Sequence, residues 1–142
     1  MKLTCRKSAT GPYCRFDEAH HLSMGTEYSL TVIADDFRRS PGDAVAELSV
    51  PGTGAVASSV RLEMDPTGVY RDRAHGVLVT TGGAYDDLLS AALADRAERR
   101  VDGPVVSKLR FRVAMDDGRA PFIDTVVPIV LSARPCPPEG EY

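Results

Sequence analysis

Apolar and polar residues alternate with a period of two along several short segments of the chain. Residues 26–34 set Tyr28, Leu30, Val32 and Ala34 against Glu27, Ser29 and Thr31, and residues 44–50 keep Ala44, Ala46, Leu48 and Val50 on one side. Residues 58–64 set Val60, Leu62 and Met64 against Ser59, Arg61 and Glu63. Residues 107–115 set Leu109, Phe111, Val113 and Met115 against Lys108, Arg110 and Arg112. A strand with one buried and one wet face requires this spacing. The segment 121–131 is apolar on both faces except at Asp124, and its Pro128 lacks an N–H, which predicts an edge or a bulge there.

Stretches rich in Gly and Pro fall between these segments, as turns between strands would. Asp116-Asp117-Gly118 reads as a hairpin turn with Gly118 at positive φ. A short loop there sets Phe111 opposite Ile123 and Leu109 opposite Thr125. A turn at Ser8–Gly11 likewise sets Leu3 against Phe16 and Cys5 against Cys14. One segment has a different period. Tyr85, Leu88, Leu89, Ala92 and Leu93 form a single helical stripe, with Asp86 and Asp87 in its first turn and Arg96, Arg99 and Arg100 in its last. Gly103-Pro104 is expected to end that helix. The expected fold is therefore mainly β, a β-sandwich or half-open barrel with one amphipathic α-helix over a face or end, with α+β as the alternative class.

Composition changes this picture little. The 142 residues fit one domain, expected over 1–134, which can bury roughly two-thirds of its unfolded surface. The Pro-rich, polar 135–142 is expected to be a mobile tail. No apolar run approaches the ~20 residues of a membrane helix, and no h-region follows the basic N-terminus. No membrane partner is expected, and the expected setting is cytoplasmic with reduced thiols.

Charge is more informative. The net charge is −3, but residues 1–15 carry Lys2, Arg6, Lys7 and Arg15 with no acid. Residues 96–112 carry Arg96, Arg99, Arg100, Lys108, Arg110 and Arg112 against only Glu98 and Asp102, while 16–95 is strongly acidic. Such segregation either interleaves on the folded surface or steers the chain toward a charged partner.

Candidate chemistry is sparse. Asp17-Glu18-Ala19-His20 spells the DEAH tetrapeptide of helicases, but no Gly-Lys-Ser/Thr phosphate loop accompanies it. Cys5, Cys14, His20, His21 and Cys136 have the donor types of a zinc site, yet the Cys-x8-Cys spacing is not that of a knuckle. A nucleophilic Cys5 or Cys14 beside His20, His21 or His75 needs an exposed thiolate. Both cysteines share parity with Leu3 and Phe16, which favours burial. Thr80-Thr81-Gly82-Gly83 precedes the helix, where a phosphate could be cradled, but Asp86 and Asp87 oppose an anion there.

The expectation is a non-catalytic protein-interaction or assembly module acting through charge-segregated surfaces, with no cofactor and no catalytic set. Its expected contact residues are Arg96, Arg99, Arg100, Lys108, Arg110 and Arg112, meeting an acidic protein or another copy of the chain. One alternative is a small metal-dependent hydrolase using His20 and His21. Another is a nucleic-acid binder using the basic 96–112 segment, which lacks the exposed aromatics that stack on bases.

Overall fold

The structure is a computed structural model that describes residues 1–16, 21–99 and 105–131. Its strands are β1 (Lys2–Lys7), β2 (Cys14–Phe16), β3 (Leu22–Ser23), β4 (Glu27–Ile33), β5 (Ala44–Ser49), β6 (Val56–Met64), β7 (Arg73–Val79), β8 (Val106–Met115) and β9 (Ile123–Val130). They form one curled sheet in the order β2-β1-β4-β7-β6-β5-β8-β9-β3, a half-barrel. Neighbours are antiparallel except β1 with β4 and β3 with β9. The helices are α1 (Asp36–Arg39), a single turn, and α2 (Gly83–Arg99). The fold is mainly β with one substantial helix, as the periodicity indicates.

The alternating residues point inward as their parity requires. Leu3, Cys5, Leu30, Val32, Leu48, Leu62, Leu78, Leu109, Phe111, Val113, Ile123 and Ile129 are all buried in one cluster. Curling brings the β2 edge of the sheet round to β8 and β9. The Asp124 N–H donates to Pro12 O at 2.6 Å, and Phe16 of β2 meets Phe111 of β8 edge-on, with ring centroids 5.5 Å apart.

The sharpest corner lies between β6 and β7, which pair only at Glu63–His75 and Met64–Ala74. Past that point β6 crosses directly over Gly76. A Cβ on Gly76 would sit 2.7 Å from Arg61 O and from Val60 Cγ1, and 2.9 Å from Leu62 Cδ2. Glycine is needed here because no side chain fits.

Each end of the half-barrel has a plug. At one end Phe37 of α1 is fully buried, edge-on to Phe122 at 5.4 Å. At the other end Tyr85, in the first turn of α2, is fully buried. Ser58 has one hydroxyl hydrogen and gives it to Val79 O at 2.7 Å, so the Tyr85 hydroxyl donates to Ser58 Oγ at 2.6 Å. Burial pushes the Tyr85 phenol pKa up, and the Ser58 bond only partly offsets this.

Several expectations are corrected. The β1–β2 register pairs Cys5 with Phe16 and Lys7 with Cys14, and β8–β9 pairs Phe111 with Thr125 and Leu109 with Val127. Both connections are longer than a tight turn. The first closes with Ser8 N–H to Tyr13 O, and Gly118 of the second does take positive φ, +85°. Leu88 and Leu89 are only half-buried and Leu93 is 48% exposed, because α2 meets the sheet chiefly at β6 and β8 and inserts mainly through Tyr85. Strand β9 is not the edge, since β3 lies outside it, but β3 covers only Ile129 and Val130. The Asp124 N–H points away from β8, and by the period of two so would that of Pro128, which therefore costs the ladder no bond. Gly103-Pro104 and the 135–142 tail lie outside the described residues.

Candidate functional site

Strand β8 supplies the row that the sequence singles out. Its inner positions Leu109, Phe111 and Val113 fill the core, so Lys108, Arg110 and Arg112 face outward. On the same outer face β9 presents Asp124, Val126, Pro128 and Val130, and β5 presents Glu47. Register then decides which charges meet.

Arg112 lies opposite Asp124 on one side and opposite Glu47 on the other. Its Nη2 sits 3.7 Å from Glu47 Oε1, and its buried Nε has no hydrogen-bond partner among the described residues. Arg110 reaches diagonally to Asp124 with both prongs of its guanidinium, Nε to Oδ1 at 2.8 Å and Nη2 to Oδ2 at 2.6 Å. These bonds hold the Asp124 carboxyl below the ordinary carboxylate range against the opposing effect of burial, helped by the charges of Arg110 and Arg112. The same contact raises the Arg110 pKa.

Lys108 is different. It is exposed and makes no ion pair among the described residues. Around it lie Pro128, directly opposite, and the half-exposed Val106 and Val126, at 53% and 55%. The face is thus an apolar strip around one unpaired cation, bordered by neutralised pairs. Sequence parity finds the cations; the valines on β9 carry no signal in a segment apolar on both faces.

The remaining sequence candidates do not converge. Arg96 and Arg99 lie in the last turns of α2, and Arg100 lies outside the described residues. Cys5 is buried, Cys14 packs against the core, and neither is in a disulfide. His21 is exposed ahead of β3, while Asp17–His20 and Cys136 lie outside the described residues. Among the described residues no group of three or more His, Cys, Asp or Glu is placed to hold a metal. His75 faces outward with Nδ1 2.9 Å from Thr31 Oγ1, away from the inward-facing cysteines. Thr80 is a buried tie: its hydroxyl donates to Ser23 O at 2.6 Å and accepts from Thr26 N–H at 3.0 Å.

Clefts ring α1 at the opposite end. One of about 370 Å³ lies between the ends of β1 and β4, and the Lys7–Asp36 ion pair, 2.7 Å, crosses its wall. No helix among the described residues is long and apolar enough to cross a membrane.

No family model, curated protein or solved structure matches the chain.

Proposed function

We propose that this chain is a non-catalytic protein-interaction module whose contact face is the outer surface of β8 and β9. The observation that supports it is the strip of Val106, Val126 and Pro128 around Lys108, which makes no ion pair among the described residues. Apolar side chains half in water gain by being covered, and a single lysine among them selects a partner that brings a carboxylate. The partner is therefore an acidic protein surface with apolar residues beside the acid. Phosphate backbones suit the face poorly, because two of its three cations are already committed to Asp124 and Glu47 and its aromatic, Phe111, is buried. We place the module in the cytoplasm, which suits two inward-facing cysteines outside any disulfide.

The test is a Lys108→Glu/Val126→Asp variant in affinity capture with chemical crosslinking. Both positions are exposed, so the melting temperature is expected to hold. The wild-type protein is expected to capture an acidic partner crosslinked at β8 or β9, and the variant to lose it. Retention of the same partner by the variant refutes the reading. Salt-dependent oligonucleotide binding lost in the variant would assign the face to nucleic acid instead.

A further inference from the structure

The loop between β6 and β7 reads Asp65-Pro66-Thr67-Gly68-Val69-Tyr70-Arg71-Asp72. Its conformation is organised by one carboxylate. Asp65 Oδ1 accepts from the Thr67 N–H at 3.1 Å and the Thr67 hydroxyl at 2.9 Å, and Oδ2 accepts from the Tyr70 N–H at 3.2 Å. Gly68 takes φ +72°, which a side chain would resist. The bonds from Thr67 hold the Asp65 carboxyl below its ordinary range, so its lone pairs serve the loop.

The loop therefore presents its tip in a set shape. Val69 is 70% exposed and Tyr70 52%, and the Arg73 guanidinium lies 4.3 Å from the Tyr70 ring centroid. Between this loop and α1 runs a groove of about 340 Å³, lined by Pro41, Met64 and Tyr70 over the buried Phe37, by Asp65 and Gly68 of the loop, and by Arg38 and Arg71. Among the described residues Arg38 has only a long ion pair, to Asp72 at 3.6 Å, and Asp72 is shared with Arg73 Nε at 3.2 Å. Arg71 is exposed and makes no ion pair among the described residues.

We infer that this groove docks an acidic segment of a partner protein. An apolar side chain of that segment enters between Pro41, Met64 and Tyr70, and a neighbouring carboxylate meets Arg71 and Arg38. Arg38 and Arg71 outnumber the Asp65 carboxylate in the lining, and its oxygens already accept from Thr67 and Tyr70, so the groove selects an acid. A loop already ordered by Asp65 loses little entropy on binding. Tyr and Arg at the mouth are residue types that carry binding energy at interfaces. The groove lies at the α1 end of the half-barrel and does not depend on the reading of the β8–β9 face.

The experiment pans a displayed random-peptide library on the full chain, then titrates the synthetic consensus peptide by fluorescence polarisation and amide NMR. The expected consensus places Asp or Glu next to Leu, Met or an aromatic residue. Amide shifts are expected at Phe37, Gly68, Tyr70 and Arg71, and Arg71→Glu is expected to weaken binding by about tenfold or more. Val126→Asp, on the other face, should bind like the wild type, which separates the two sites. No enrichment, a basic consensus, or equal affinity for Arg71→Glu overturns the inference. So does a concentration-dependent dimer lost in Arg71→Glu, which would give the groove to a second copy of the chain.

Discussion

Gly76 offers the most direct test of the corner that closes the half-barrel. A Cβ there meets Arg61 O and Val60 Cγ1 at 2.7 Å and Leu62 Cδ2 at 2.9 Å. None of these can swing into solvent. Arg61 O belongs to a strand held by β5, where Arg61 pairs with Val45, and Val60 and Leu62 are both buried. Overpacking of this kind costs about 1–3 kcal/mol. Replacing glycine also restricts the unfolded chain, which returns about 0.4–1 kcal/mol. Gly76→Ala should therefore destabilise by roughly 1–2 kcal/mol, lowering the melting temperature by about 3–6 °C for a chain of this size. Gly76→Val, with two more carbons against the same wall, should be worse. Its neighbour Val77 is 55% exposed, so Val77→Ala is the control and should change stability by less than about 0.5 kcal/mol. Urea and thermal melts of the three variants decide the matter. A Gly76→Ala protein as stable as the wild type would mean that β6 does not cross over β7 as described.

Three further outcomes follow from buried or paired groups. Tyr85→Phe removes the donor to Ser58 but leaves Ser58 its bond to Val79 O, so it should cost about 1 kcal/mol, whereas Tyr85→Ala, which empties the plug, should cost about 3–5 kcal/mol in the same melts. Thr80→Val keeps the shape but strips the Thr26 N–H of its acceptor and Ser23 O of its donor, and should cost about 1–3 kcal/mol by urea denaturation. Because the folded-state pKa of Asp124 is depressed, its pair with Arg110 stabilises above the ordinary carboxylate pKa of about 4 and is lost as pH falls through the lower folded value. Arg110→Gln should therefore flatten the acid limb of the urea midpoint between about pH 5 and pH 2, with little change in its slope near neutrality.

The faces of the strands were legible because period two is a local property, and the registers were not. Both hairpin expectations miss by two residues, which keeps every side chain on its proper face. The added length comes from loop interactions that alternation does not encode, such as Arg119 N–H to Asp117 Oδ1. The parallel pairings of β1 with β4 and β3 with β9 depend on distant segments. Phe37 sits in Asp35-Asp36-Phe37-Arg38-Arg39, a run that reads as solvated, and only the open end of the half-barrel makes it a plug.

The same limit governs the basic row. Parity places Lys108, Arg110 and Arg112 outside, and three cations about 7 Å apart on one strand look like a field of positive charge. Whether that field survives folding depends on which residues the flanking strands bring beside it. Here Glu47 and Arg112 face each other across β5 and β8, and that leaves Asp124, although opposite Arg112, to accept both prongs of Arg110. Two acids thus oppose three bases. The charge left to act at a distance sits at Lys108, and its apolar surroundings then matter more than the length of the row. A partner that recognises this face must bury valine and proline to reach the lysine, so its affinity should depend on shape and apolar cover more than on ionic strength.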